Sequence, residues 1–280
     1  MSQRPSYLRV FQTFARNSLV RDMMFPANFL IETISSFGWV MMNIGFYLLI
    51  FEYTDQIGAG SDAGSAWDKH QFFVFIATSM FINSIVQMFF MTNADEFSEL
   101  IRTGGLDFAL LKPIDTQFLV SLRRIEWASI ANFIVASMLM AYALPRIQGV
   151  DLTVWKIILY VVYVLFGIAI LYSLTIVLAA ASVWLGRNTS IYDFWFYITT
   201  FSRYPMEIYQ GPIGNWLRGI FTFVLPILIV VNVPARMLAK PLQRDYSYLA
   251  VFAIVATIVS LLVSRWVFRR SLMSYRSASS

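Results

Sequence analysis

Apolar residues come in long runs along this chain, and the polar residues gather between them. A helix that crosses about 30 Å of hydrocarbon needs about 20 mostly apolar residues. Five runs reach that length, at 26–51, 72–91, 127–144, 157–185 and 248–268. Two further apolar stretches, 190–200 and 216–233, lie between the fourth run and the last. Both tails are basic, with Arg4, Arg9, Arg16 and Arg21 before the first run and Arg265, Arg269, Arg270 and Arg276 at the end. The positive-inside rule then places both termini on the cytoplasmic side and requires an even number of crossings. Pro226 stands in the middle of 216–233, where it would break a straight helix. The pattern therefore predicts a short fifth span over 189–203 and an outer re-entrant hairpin over 213–238 before the last span. The opposite choice, with 216–233 spanning, keeps the same orientation. Either way the expected fold is an all-α integral membrane domain over 1–280, with six transmembrane helices.

Ahead of the first span, 5–21 reads as an amphipathic interfacial helix. At 100° per residue Tyr7, Val10, Phe11, Phe14 and Ala15 share one face, and Arg9, Gln12, Thr13, Arg16 and Asn17 the other. Such a stripe suits a helix lying in the headgroup plane, its arginines reaching phosphates and Pro26 permitting the turn into the first span. Packing on other protein is the alternative. The first outer loop carries Asp55, Asp62 and Asp68 with Gly58, Gly60 and Gly64, and reads as a mobile connector.

The longest inner loop, 92–126, holds the most structured polar sequence. Asn93 can cap a helix with Glu96 three residues on, and Asp95 and Glu96 suit a positive N-terminal dipole. Arg102 falls in the last turn and Gly104-Gly105 stops it, which predicts a short helix over 94–103. Phe97, Leu100 and Ile101 form an apolar strip on an element too short to stand alone. The strip packs against a partner protein or against the inner ends of the chain's own helices, and spacing does not choose. An apolar segment, 107–115, follows and is halted by Pro113.

Composition agrees with a bilayer as solvent. Of the 280 residues, 58% are hydrophobic and only 13% charged, against about 25% in soluble domains. The net charge of +5 flanks the apolar runs instead of forming one patch, so it argues for membrane orientation and against nucleic acid. With no cysteine, disulfides, thiolate metal sites and thiol nucleophiles are excluded. The one histidine, His70, lies in the outer loop, and no acidic pair accompanies it, which leaves a lipid-acting enzyme without an acid–base set. Inside the spans Glu32 and Asp193 sit near the inner interface, where water or arginine can satisfy them. Asn43, Asn83, Gln87 and Asn132 lie deeper, so each should face another helix or a wet pathway. The aromatic cluster Phe194, Trp195, Phe196 and Tyr197 suits lipid contact, a dimer seam or an amphiphilic ligand.

Taken in order, the N-terminal helix, the inner loop from Glu99 through Gly104-Gly105 to Leu110-Leu111-Lys112-Pro113, and the punctuated segment with Tyr204-Pro205, Gly211-Pro212, Trp216-Leu217, Pro226 and Pro234-Ala235 resemble the permease subunits of ABC-2 type ATP-binding-cassette transporters. The resemblance covers nearly the whole chain. It implies a homodimer or heterodimer of permeases in a bacterial cytoplasmic membrane, driven by separate P-loop ATPase subunits and working as an exporter. It also implies that a coupling helix meets the ATPase, carried here by Asp95, Glu96, Phe97, Glu99, Leu100, Ile101 and Arg102. ATP and Mg would be bound by that partner, because no Gly-x-x-x-x-Gly-Lys-Ser/Thr loop occurs in this sequence and no cofactor is expected in the chain itself. A non-transporting membrane scaffold is the other reading.

Overall fold

The computed structural model describes residues 6–58, 66–147, 149, 152–185, 191–241 and 247–275. Expectations placed on Arg4, Gly60, Asp62, Gly64, residues 189–190 and Arg276 fall outside them. Among the described residues the regular structure is helical apart from one two-residue strand pair, β1 (Gln56–Ile57) with β2 (Trp67–Asp68), antiparallel with Ile57 opposite Trp67. Five helical segments are long and apolar enough to cross a membrane: α2 (Pro26–Tyr53), Lys69–Thr103, Trp127–Arg146, α8 (Val154–Leu185) and α12 (Ser247–Ser274). A sixth crossing results if a bent pair is counted as one, α10 (Gly211–Gly219), whose turns run on to Val224, with α11 (Leu228–Ala239). The two meet at 90°, and the break falls on the Pro226 segment.

Local chemistry sets the boundaries. Pro26 occupies the first turn of α2, where a missing amide hydrogen costs nothing. Asp68 caps α3 (Lys69–Val86) by accepting from the Gln71 amide at 2.8 Å, and the Gln71 side chain returns to the Asp68 amide. Gly104, at φ +73, closes α4 (Thr92–Thr103) in the left-handed conformation that the sequence predicts there.

The start of α4 differs from expectation. No helix begins at Asn93: α3 continues through a π-helical turn (Gln87–Met91) straight into α4, making one segment of 35 residues. The amides that a cap would serve are already inside a helix, so the Asn93 side chain is used elsewhere. It donates to Phe89 O at 2.7 Å and Arg124 O at 2.6 Å and accepts from Arg124 N at 2.9 Å, tying the loop back to the helix. Glu96, instead of closing a box, faces Arg124 at 3.1 Å.

Two apolar cores result. The larger lies along α3, α8 and α11, where Gly167 lets helices approach so closely that an added Cβ would stand 2.8 Å from Val230 O. The smaller joins Phe97, Leu106, Leu119 and Val120 to Ile176, Ala179, Ala180 and Phe268, at the end of the bundle formed by the 92–126 loop. We call this the loop end, and the opposite end, with β1–β2, the hairpin end. Beyond α8 come α9 (Ile191–Thr200) and the turn Phe201–Arg203, after which Glu207 lies against Trp67 at the hairpin end.

The helix α1 (Tyr7–Met24) rests the predicted stripe, half-buried, on the chain's own loop: Tyr7, still 49% exposed, meets Phe118 edge-on at 4.8 Å, Phe11 nears Phe89, and Phe14 packs against the smaller core. Ser18 Oγ accepts from the Ile125 amide at 3.0 Å on the same face. What remains outward is Leu8, Leu19, Val20, Met23 and Met24 among Arg9 and Arg16. The outer loop is no free connector at its base either, because Trp67 is fully buried.

Candidate functional site

The four deep amides come together. On α2, Trp39, Asn43 and Tyr47 recur every four residues, and on α3 and its π turn Ser79, Asn83 and Gln87 do the same, so each set lines one helix face. The two faces border a cleft of about 150 Å³, to which Asn132 is added by α7 (Ile130–Ala143) and Arg203 by the turn after α9. Little of this polarity is spent on joining helices. Asn43 donates to Trp39 O and Asn83 to Ser79 O, each at 2.8 Å within its own helix. Only Asn132 reaches across, to Ser36 Oγ at a long 3.4 Å, and its Oδ1 is buried without a partner among the described residues. Arg203 lies over the Phe196 ring at 4.8 Å. Glu32 and Asp193 stand on exposed faces away from the cleft, and in the aromatic cluster Trp195 is buried while Phe194, Phe196 and Tyr197 point outward.

At the loop end, the side chains expected to meet a partner divide. Phe97 is fully buried, its ring 5.5 Å from that of Phe268, and Leu100 and Ile101 rest against the same core. Asp95 and Glu96 are half-buried. Glu99 and Arg102 are exposed and paired with one another, which holds the Glu99 carboxyl below its ordinary range. The outward apolar residues sit further on: Phe108, 74% exposed, in α5 (Leu106–Leu110), and Leu111, 81% exposed, just after it. A hollow of about 250 Å³ opens beside them, walled by Leu100, Phe108, Lys112 and Arg123. The tip is held from below by α6 (Thr116–Leu122), capped by Asp115, which accepts from the Phe118 amide at 3.0 Å and pairs with Arg265 of α12. That arginine holds the Asp115 carboxyl below its ordinary value of 3.8.

A family model described as ABC-2 family transporter protein matches residues 37–279. The chain belongs to the ABC-2 family. No curated protein and no solved structure matches it. It is thus a multi-pass membrane component of an ABC transporter, as its apolar helices also require.

The hairpin end of this ABC-2 protein holds an ionic cluster that spacing along the chain does not reveal. Glu207 accepts from Trp67 Nε1 at 2.8 Å and pairs with Arg236, both partners of that ion pair being almost wholly buried. Lys240, which follows α11, donates to Ala66 O at 2.8 Å and lies 4.4 Å above the Trp67 ring. Burial, with Arg236 nearby, pulls the Lys240 ammonium down to about 7. Gln210 Nε2 donates to Glu207 O at 2.6 Å, so both the start of α10 and the finish of α11 are fastened to the same corner. Trp67 and Glu207 are 140 residues apart, and no local pattern links them.

Proposed function

We propose that this chain is the permease subunit of an ABC-2 exporter, dimeric with a copy of itself or a related permease, and driven by separate ATPase subunits in a bacterial cytoplasmic membrane. Six crossings with both termini cytoplasmic fit the chain, the fifth being the traverse from Leu185 to Glu207. The α10–α11 pair then dips in from the outside and returns, since both its ends are fastened beside Trp67. On this reading α1 lies at the inner headgroup plane with Leu8, Leu19, Val20, Met23 and Met24 toward lipid.

The observation that carries the coupling is the outward pair Phe108 and Leu111, the most exposed apolar side chains of a loop that turns Phe97, Leu106, Leu119 and Val120 inward. Exposed apolar groups on an otherwise well-buried, charged element mark a protein contact. In this arrangement Glu99, Arg102, Phe108 and Leu111 meet the ATPase, while Phe97, Leu100 and Ile101 transmit the push to α8 and α12 from inside. The test is reconstitution with the P-loop ATPase encoded beside the gene. Hydrolysis should depend on the permease and fall after Phe108→Asp with Leu111→Asp, with the thermal unfolding midpoint unchanged. Hydrolysis indifferent to the permease would favour a scaffold.

A further inference from the structure

The cleft between α2, α3 and α7 has a polarity that helix packing does not use. We propose that it binds an amphiphile with an anionic, hydrogen-bonding head group, its charge held by Arg203 and its hydroxyls by the row of amides. As a statement about cargo this rests on the transport reading above; as a statement about binding it does not.

Unused acceptors are the first reason. After their bonds to Trp39 O and Ser79 O, the side-chain carbonyl oxygens of Asn43 and Asn83 have no partner among the described residues, and Gln87 has none for either end of its amide. Whichever way the Asn132 amide is turned, one of its atoms stays buried and unpaired. Such groups at membrane depth cost free energy until a donor arrives. A polyhydroxylated head group supplies several donors at the spacing of successive helical turns.

Charge is the second. Arg203 forms no ion pair among the described residues, and no carboxylate lines the cleft. A half-buried guanidinium facing a cleft without a carboxylate selects an anion, and a phosphate or carboxylate suits its fork of donors. Cationic ligands are disfavoured for the same reason.

Access is the third. The cleft is open, its apolar walls include Trp39, Ile44 and Met80, and α2 beside it is exposed along nearly its whole length. A volume of about 150 Å³ holds a head group and not a whole lipid, so the acyl chains would lie outside, along exposed Met42 and Phe46. A ligand that is polar throughout would find no use for that wall.

The full-length chain in phosphatidylcholine nanodiscs, doped with acyl-brominated phosphatidylglycerol or acyl-brominated phosphatidylcholine, tests this. The emission of Trp39 is obtained by difference from Trp39→Phe. Phosphatidylglycerol should quench it at a mole fraction at least about threefold lower than phosphatidylcholine does. Arg203→Ala should remove the preference, Arg203→Lys should retain it, and Asn83→Leu should weaken it. Equal quenching by the two lipids, or a preference that survives Arg203→Ala, overturns the proposal. ATPase coupling measured on the same preparations separates the two readings. A lipid preference without coupling keeps the binding site and removes the transport reading, and coupling without a preference does the reverse.

Discussion

At the hairpin end, the Glu207 side chain is 3% exposed and holds Arg236 and Trp67, whereas at the loop end Glu96, Glu99 and Asp115 meet arginines whose side chains are about a third exposed or more. The difference is one of consequence as much as of strength. Taking two charges out of water is costly, and the cost is offset only while both partners and their hydrogen bonds remain in place. A wet pair is worth about 0–1 kcal/mol and can part at little expense. One end is therefore built to hold and the other to rearrange, and substitutions should sort accordingly.

The largest effect expected is at Glu207. Glu207→Gln removes the buried carboxylate that pairs with Arg236 and should cost about 3–5 kcal/mol, read from thermal unfolding in detergent. A loss under about 1 kcal/mol would mean that the corner is not a clamp. Next comes Phe97→Ala, which empties a fully buried site against Phe268 and should cost about 3 kcal/mol. Phe108→Ala, eleven residues further along and outside both cores, should stay within about 0.5 kcal/mol.

Titration separates the ends further. Because Lys240 falls to about 7 in the fold from an ordinary 10.5, the folded state binds fewer protons than the unfolded chain between those values. The midpoint should rise from pH 7 toward pH 10, and Lys240→Met should flatten that rise. Asp115 has the same sign in the acid range, since its folded pKa is also lowered. Its depressed carboxyl contributes fully above the ordinary 3.8 and loses that contribution as the pH drops through the lower folded value. Asp115→Asn should therefore cost about 1 kcal/mol or less at neutral pH and abolish this acid sensitivity; a larger cost would make the loop end as rigid as the other.

The long spans were legible because a run of twenty apolar residues has few other fates. The break at Pro226 and the stop at Gly104 were legible for equally local reasons. Depth along the spans singles out the four amides, but that they share one cleft depends on how α2 meets α3, and among the described residues only Asn132 bonds to another helix. Asn93 and Asp115 carry the same type of capping signal, yet only Asp115 caps a helix. Pro113 has already stopped the chain before Asp115, while nothing before Asn93 prevents α3 from running on. Trp67, Glu207, Arg236 and Lys240 could not be grouped in advance, since their meeting requires the whole bundle to close.

That uninterrupted run from Lys69 to Thr103 measures about 52 Å at 1.5 Å per residue. Ser79, Asn83 and Gln87 ride on the same rod as Glu99 and Arg102. Tilting its free tip must swing the amide row like the far arm of a lever, unless the π turn at Gln87–Met91 yields first. The fulcrum is then the only place where motion could be lost.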